Sequence, residues 1–478
     1  MPSAFSPKLP ASSHRQGATH TIGDFTLIDH WFTVPATHGL IYGKGIEAAE
    51  NSRYAQRTLT VFAREIINCD KKLTQAPDER PFMVYLQGGP GGKSPRPATD
   101  SGWVHELSKT HRLILLDQRG TGLSTPLSAE VVLAEGDPSQ QANFLELFRA
   151  DSIIADAEIV RQYLLAERED QRWSTMGQSY GGFLTLSYLS FAPESLKDCR
   201  MTAGLAPIRA HIDDVYRHTY DRMLARNQEF YDWYPEDQER AVRIARFLRE
   251  HEIFLPSGER LTDHRFQMLG NFLGGNSRVH HLHYILESAF AEGEDHLSEQ
   301  FLREVSDCVS FHGSLLYGLM HESIYADGPA PEQRGGIENF TVSPSPAPTD
   351  WSAAKVAGER PEFNATADPL LFMGEHIFPW YFEEDPALAP LKEVAELLAQ
   401  KTDWGRLYNH QQLAQNTVPL VAAAYEPDVY VDYDHSMTTA QWVNNCTVWT
   451  SSTHHHDGLG ADGTNILEHL KDLLADQR

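Results

Sequence analysis

A serine between two glycines, in "MGQSYGGF" at residues 176–183, is the side chain in this sequence best suited to nucleophilic chemistry. The preceding "RWSTM" is typical of the end of a short strand, and the following "FLTLSYLSF" has apolar residues at helical spacing. Gly177, Ser179 and Gly181 fit the pattern G-x-S-x-G, in which a sharp strand-to-helix turn lifts a serine hydroxyl clear of the backbone. The pattern therefore predicts a nucleophile at Ser179.

A serine hydroxyl is a weak nucleophile near neutral pH. It needs an imidazole as general base and a carboxylate that fixes the tautomer of the imidazole. Late in the chain, "PLVAAAYEPDVYVDYD" provides carboxylates after an apolar strand, and "STHHHDGLG" provides histidines before a final helix. The candidates are Asp428, Asp432 and Asp434 for the acid, and His454, His455 and His456 for the base. Spacing alone leaves the choice open at both positions.

A glycine-rich segment, "FMVYLQGGPGG" at residues 82–92, follows an early apolar strand. Without side chains, its backbone can approach a substrate carbonyl and donate hydrogen bonds to the negative charge of a tetrahedral intermediate. We expect the N–H of Gly89 to be one donor of this oxyanion hole. The N–H of Tyr180, the residue after the nucleophile, is the expected second donor.

The order of strand-like and helical segments predicts how the chain is divided. Short apolar runs alternate with amphipathic helical segments early in the chain, which is typical of a mainly parallel sheet. A mostly helical, acidic region follows, and then another apolar strand and a final amphipathic helix. We therefore expect a flexible tail at 1–23, a core formed by 24–207 and 416–478, and a helical cap inserted at 208–415.

Composition narrows the class of partner. The chain has 478 residues, with 66 acidic and 40 basic side chains, and its formal net charge is −26. Such a charge argues against binding to nucleic acid or to anionic membranes. No apolar run has the length of a membrane span or of a signal peptide. The four cysteines are scattered, which favours reduced thiols in a cytoplasmic protein. The sequence leaves open whether the chain forms a homo-oligomer.

Two other motifs are expected to have no catalytic role. The three consecutive histidines and "HHLH" at residues 280–283 lack the spacing of known zinc sites, so neither a catalytic metal nor a cofactor is expected. In "LLDQRGTGLS", Asp117 and Arg119 follow a buried strand. We expect this pair to brace the loops near the oxyanion hole.

The segments "LQGGPGG", "LLDQRGTGLS" and "GQSYGGF", in this order, resemble the proline iminopeptidases, and especially their longer branch. These are serine peptidases of the α/β-hydrolase fold. The downstream "MHESIY", "MGEHIFPW" and "YVDYDHS" are also similar to that branch. The resemblance implies a mostly parallel central sheet flanked by helices, with a large, mainly helical cap domain.

The resemblance also implies the roles of single residues. It assigns the nucleophile to Ser179, the acid to Asp428 and the base to His456. The remaining acidic and histidine candidates become neighbours of the triad, and we expect them to be solvated loop groups. In this family, glutamates from the cap bind the substrate's terminal amine. The resemblance assigns this role to Glu322 in "MHESIY", with Glu375 in "MGEHIFPW" as a second candidate.

The expected function is that of a serine exopeptidase that releases N-terminal proline from peptides through an acyl-enzyme. One alternative keeps the fold and is an esterase or amidase for small apolar acyl groups, because the triad itself does not select a peptide over an ester. Another alternative is a non-catalytic binding protein with a hydrolase fold. An anionic subsite at Glu322 would distinguish the peptidase from the esterase.

Overall fold

The computed structural model describes residues 12–38, 52–290, 295–328 and 348–477. The strands of these residues are β1 (Ser13–Ile22), β2 (Phe25–Pro35), β3 (Thr58–Asn68), β4 (Phe82–Leu86), β5 (Arg112–Asp117), β6 (Trp173–Gln178), β7 (Leu196–Thr202), β8 (Leu420–Tyr425) and β9 (Cys446–Ser451). The first five α-helices are α1 (Gly102–Ser108), α2 (Ala129–Leu133), α3 (Pro138–Leu145), α4 (Ala150–Leu164) and α5 (Tyr180–Phe191).

Most of the other α-helices lie between β7 and β8. They are α6 (Ile212–Trp233), α7 (Pro235–Glu250), α8 (Asp263–Phe266), α9 (Arg278–Glu287), α10 (Glu299–Val309), α11 (Leu315–Met320), α12 (Ser352–Ala357), α13 (Tyr381–Glu384), α14 (Lys392–Ala399) and α15 (His410–Ala414). Two more follow β8, namely α16 (Tyr433–Trp442) and α17 (Gly458–Asp476).

The nine strands form one sheet in the order β1-β2-β3-β5-β4-β6-β7-β8-β9. The first three strands pair antiparallel with their neighbours, and all strands from β5 to β9 along the sheet pair in parallel. Because parallel strands have their carboxyl ends at one edge, the loops after β4, β6, β8 and β9 meet there. This edge collects the predicted site residues.

The central strands are continuous apolar runs because both faces of the sheet are covered. In β4, Met83 and Tyr85 pack with α17 on one face, whereas Val84 and Leu86 pack with α4 and α5 on the other. All five residues of β4 are buried. The sheet therefore forms a rigid base from which the loops at its carboxyl edge project.

The prediction of a flexible tail at 1–23 is wrong for residues 13–22, which form β1 and pair antiparallel with β2. Residues 1–11 lie outside the described residues. Most side chains of β1 are exposed, so the strand has no apolar alternation that would reveal it in the sequence. It is held by backbone pairing with β2, whose own edge it covers.

Between β7 and β8, the regular structure of the described residues consists of α- and 3₁₀-helices, which are joined by turns, irregular loops and isolated β-bridges. The extra helical region of the predicted fold is therefore present. Its exact assignment as a cap domain at 208–415 stays a prediction. In the described residues, no helix combines the length and the apolar character that a membrane crossing requires.

Candidate active site

Ser179 lies in the sharp turn between β6 and α5, with φ 57° and ψ −125°. A non-glycine residue rarely adopts such a positive φ, and the strain is typical of a nucleophile held out from the backbone. Two backbone hydrogen bonds hold the turn: Ser179 N–H donates to Thr202 O at 3.0 Å, and Gly182 N–H donates to Ser179 O at 2.8 Å. A Cβ at Gly181 would overlap the Leu86 carbonyl oxygen, so a side chain there would push α5 away from β4.

The structure brings Ser179, His456 and Asp428 together at the carboxyl edge of the sheet. His456 Nε2 lies 2.9 Å from Ser179 Oγ. His456 Nδ1 lies 2.9 Å from Asp428 Oδ2 and 3.1 Å from Oδ1. The serine comes from the turn after β6, the aspartate from the loop after β8 and the histidine from the loop after β9. The arrangement can perform general base catalysis with an oriented imidazole.

Asp428 is fully buried, and both the backbone and His456 hold its carboxylate. Its Oδ1 accepts backbone hydrogen bonds from Tyr430 at 2.9 Å and Val431 at 3.1 Å. For His456, burial acts to lower the pKa of the imidazole, but the charge and hydrogen bond of Asp428, with a further contribution from Glu375, raise that pKa above its ordinary value. The pocket therefore favours the imidazolium that forms when Ser179 loses its proton.

The glycine-rich segment after β4 lies directly against the serine. A Cβ built on Gly88 would lie only 3.0 Å from Ser179 Cβ. The side-chain amide of Gln118 donates to Gln87 O at 2.8 Å and holds the start of this segment. Gly89 follows next in the chain with φ 143°, a conformation that L side chains rarely adopt. Tyr180 begins α5 on the other side of the serine.

Glu322 lies in a 3₁₀ turn, Glu322–Ile324, directly after α11 and is 7% exposed. Its Oε1 accepts a hydrogen bond from Ala353 N–H at 3.1 Å. Its Oε2 is buried and forms no hydrogen bond of acceptable geometry with the described residues. Burial raises the pKa of Glu322 to about 7, although the Ala353 amide and the nearby Thr349 hydroxyl favour the charged form. This carboxylate would gain from a cationic partner.

Glu375 interacts electrostatically with two residues of the predicted triad, His456 and Asp428. Burial raises its pKa, while the charge of His456 and a hydrogen bond from Tyr317 oppose that rise. Burial raises the pKa of Tyr325. The negative charges of Glu375, Asp428 and Glu322 raise it further. No ion pair joins Glu322 or Glu375 to a cation within the described ranges. Both predicted amine-binding residues are thus buried carboxyl groups whose charges act on the same tyrosine as the charge of Asp428.

Several aromatic and histidine side chains beside the predicted triad and the two glutamates are not identified by the sequence motifs. Tyr430 packs edge-on against His456, with ring centroids 4.9 Å apart. Neither ring nitrogen of His321 has a well-aligned hydrogen bond among the residues described, and burial lowers its pKa to about 4 against the opposing effect of the Glu375 backbone. Tyr216 is also buried, and its hydroxyl is without a partner there. Their only sequence signal is position: Tyr430 is two residues after Asp428, and His321 directly precedes Glu322.

The neighbours of the triad differ from the expectation of solvated loop groups. That expectation is wrong for Asp432 and His455, which are 3% and 7% exposed. Asp432 accepts a hydrogen bond from His435 N–H and so caps α16, which explains its burial. Asp434 is exposed as expected, and His454 is half-buried beside Asp462. None of these four side chains has a hydrogen bond to Ser179 or His456.

Asp117 and Arg119 make structural contacts. Asp117 Oδ1 accepts a hydrogen bond from Ser94 N–H at 3.0 Å, which fixes the segment after the glycine-rich loop. Arg119 is buried and pairs with Asp156, and its Nη1 donates to two backbone carbonyl oxygens, those of Ala36 and Leu147. These contacts join the loop after β5 to α4 and brace the strands beneath the site.

Comparisons with known proteins agree with this fold. A family model described as alpha/beta hydrolase fold matches residues 81–257. The chain is 40% identical over 448 residues to a proline iminopeptidase of Aeromonas sobria, covering 94% of this chain and 96% of that protein. It is 34% identical over 434 residues to the proline iminopeptidase aneH of Aspergillus aculeatus, covering 89% and 92%.

A solved structure of the proline iminopeptidase of Mycobacterium smegmatis covers 88% of this chain and 95% of its own, with 12% identity and a TM-score of 0.40. That similarity is too low to support an argument. The two sequence relatives confirm the resemblance seen in the motifs, because both extend over nearly the whole of each chain. The chain therefore belongs to the proline iminopeptidase family of peptidases and has the α/β-hydrolase fold.

Proposed function

We propose that this protein is a serine exopeptidase that releases an N-terminal proline from peptides through a Ser179-His456-Asp428 triad. His456 Nε2 accepts the proton of the Ser179 hydroxyl as Oγ attacks the prolyl carbonyl carbon. The oxyanion that forms accepts hydrogen bonds from the N–H groups of Gly89 and Tyr180. Asp428 holds the imidazole in the tautomer that carries its proton on Nδ1 and stabilises the imidazolium.

The intermediate then collapses. His456 gives its proton to the nitrogen of the departing peptide, the C–N bond breaks, and a prolyl ester on Ser179 remains. A water molecule loses a proton to His456 and attacks this ester. The serine leaves with that proton, and free proline is released. His456 performs every proton transfer, and the two backbone donors only form hydrogen bonds to the oxyanion, so the proposed reaction needs no cofactor.

The choice of an N-terminal substrate rests on the two buried glutamates. A buried carboxylate with no cationic partner is costly, and a substrate ammonium or secondary amine cation would provide that partner. The raised pKa of Glu322 is consistent with a group that lacks a counter-ion in the free protein. In this proposal the amine of the terminal residue pairs with a glutamate while its carbonyl lies at Ser179, and the mutual charge effect of Glu375 and His456 supports this.

A paired rate comparison tests this proposal. Hydrolysis of proline 4-nitroanilide is compared with that of its N-acetyl derivative, using the wild type, Glu322→Gln and the control Glu393→Gln, an exposed residue of α14. We expect wild type and control to prefer the free amine by at least about 100-fold, since a buried ion pair is lost with the acetylated compound. Glu322→Gln should lose most of that preference through a lower rate on the free amine.

If wild type hydrolyses both compounds alike, the anionic subsite is wrong, and an esterase or amidase for small acyl groups describes the protein better. If neither compound is hydrolysed and a fluorophosphonate does not label Ser179, the protein is a non-catalytic member of the family. We also propose a cytoplasmic location and no binding to nucleic acid or membranes. The net charge of −26 and the four free cysteines support this.

A further inference from the structure

A cluster of two histidines and one aspartate lies apart from the proposed triad. His218 is on α6, whereas Asp432 and His435 are at the start of α16. One ligand atom from each of the three residues lies within 4.8 Å of those of the other two. The histidines are not the consecutive or "HHLH" histidines of the sequence motifs. Instead, they come from two helices, and His218 and His435 are 217 positions apart in the chain.

The distances suit a small tetrahedral ion. His218 Nδ1 lies 3.3 Å and His435 Nδ1 lies 3.1 Å from the same oxygen, Asp432 Oδ1. Around Zn²⁺, ligand bonds of about 2.0–2.2 Å at tetrahedral angles separate neighbouring donor atoms by about 3.3 Å. The rings of the two histidines are also close, with centroids 4.4 Å apart. The two separations from Asp432 Oδ1 are therefore close to the required length.

The remaining contacts leave these donor atoms facing one another. Among the described residues, the buried His435 Nδ1 has no well-aligned hydrogen bond; it lies 3.1 Å from Asp432 Oδ1, with which it forms an ion pair when protonated. Asp432 is held by His435 N–H, which donates to Oδ1 at 3.0 Å, and by Arg222 Nε, which donates to Oδ2 at 3.1 Å. The guanidinium thus occupies Oδ2 and leaves a lone pair of Oδ1 toward the imidazoles.

The cluster is open to solvent on one side. The side chain of His218 is 44% exposed, whereas that of Asp432 is 1% exposed. An ion could reach the exposed imidazole first and then the buried carboxylate. Two imidazoles and one carboxylate are the donor set that zinc and its neighbours in the first transition series prefer, whereas Mg²⁺ and Ca²⁺ prefer oxygen donors only.

We propose that His218, Asp432 and His435 form a binding site for a divalent transition-metal ion such as Zn²⁺, with a water molecule as fourth ligand. The ion would join α6 of the helical region to the segment after β8, in which Asp428 precedes Asp432 by four residues. It would therefore stabilise the folded state without taking part in the reaction. This proposal does not depend on which substrate the enzyme hydrolyses.

The test uses the full chain without a polyhistidine tag, freed of metal with a chelator. Equilibrium dialysis against Zn²⁺ measures the number of ions bound, and the visible absorption of added Co²⁺ reports on tetrahedral coordination. The variant is His218→Ala with His435→Ala. The matched control, His281→Ala with His312→Ala, removes two exposed histidines from elsewhere on the surface.

We expect one tightly bound Zn²⁺ per chain and a rise in Tm with Zn²⁺ for the wild type and the control. The double variant should bind this ion more than about 100-fold more weakly, because loss of an outer-shell partner alone already costs 10–100-fold. If far-UV circular dichroism shows that the double variant is not folded, the single variant His218→Ala replaces it, since His218 is half exposed. Absence of a tight site in the wild type, or tight binding that persists in a folded variant, would overturn the proposal.

Discussion

The geometry of Asp428 shows how one carboxylate performs two tasks. Its Oδ1 accepts hydrogen bonds from two backbone amides, and both oxygens lie within 3.1 Å of His456 Nδ1. An asparagine at this position could keep the oxygen toward the amides and would then present its NH₂ group to the histidine. That group can only donate, so the imidazole would be held in the tautomer with its proton on Nε2, which cannot accept the proton of Ser179.

We therefore expect Asp428→Asn to retain the fold and to lower kcat by roughly 1,000- to 10,000-fold, as measured with proline 4-nitroanilide. Asp434→Asn is the control, since the Asp434 side chain is exposed and does not contact the triad. A loss of less than tenfold in Asp428→Asn would show that the carboxylate does not set the tautomer.

The burial of Glu322 leads to a prediction about the stability of the protein rather than about its reaction rate. Its pKa is raised from 4.5 to about 7, so the folded state prefers the protonated carboxyl. The stability from this preference is fully present below pH 4.5 and is lost as the pH rises through about 7. Glutamine does not titrate and avoids that loss. Glu322→Gln should thus raise the free energy of unfolding at pH 8 by on the order of 3 kcal/mol.

Urea unfolding of the wild type and Glu322→Gln at pH 5 and pH 8 measures this difference. The two proteins should differ little at pH 5 and clearly at pH 8. Equal stabilities at pH 8 would mean that Glu322 has a counter-ion or water partner in the free protein. We therefore expect Glu322→Gln to be more stable and less active than the wild type. This combination is typical of a site that leaves a charge unpaired until the substrate binds.

At the level of helices and strands, the contact of α5 with β4 decides where Ser179, the proposed nucleophile, lies. The helix approaches the sheet at Gly181, where a Cβ would overlap the carbonyl oxygen of Leu86. Backbone in a strand cannot move aside as a flexible side chain can. We expect Gly181→Ala to displace the start of α5, to lower the free energy of unfolding by at least about 2 kcal/mol and to abolish most activity.

Gly460→Ala is the matched control for this change. Gly460 is exposed in α17, and a Cβ there meets no atom within 4 Å. Alanine should be neutral or stabilise the helix by up to about 1 kcal/mol. Thermal unfolding and kcat/KM measured on both variants separate a specific packing effect from a general effect of losing a glycine. Normal activity in Gly181→Ala would contradict the packing account.

A helix or strand could be predicted when its own residues carry a recognisable sequence pattern. Buried strands such as β4 and β8 are apolar throughout, and the G-x-S-x-G turn fixes its own backbone, so both are visible in the sequence. The strand β1 lacks any apolar pattern because it lies at the sheet edge with most side chains exposed. Only its pairing with β2 makes it a strand, and that pairing is a tertiary contact.

At the scale of the whole molecule, the sheet brings together residues that are far apart in the chain. Ser179 and His456 are separated by 277 positions, and the helical region between β7 and β8 contributes the two glutamates. The resemblance to the family could select Ser179, Asp428, His456 and the two glutamates as candidates, because each lies in a short motif. The aromatic residues around them, such as Tyr430, have no pattern of their own. Asp432 was misjudged because its burial depends on a cap and on Arg222, which lies on another helix.

The most direct test of the proposed function compares kcat/KM for proline 4-nitroanilide in the wild type, Ser179→Ala and Ser187→Ala. Ser187 is buried in α5, and its hydroxyl has no hydrogen-bond partner among the described residues, so alanine should leave the enzyme unchanged. We expect full activity for Ser187→Ala and a loss of about 10,000-fold or more for Ser179→Ala. If Ser179→Ala keeps more than a tenth of the wild-type value, the nucleophile lies elsewhere and the account is wrong.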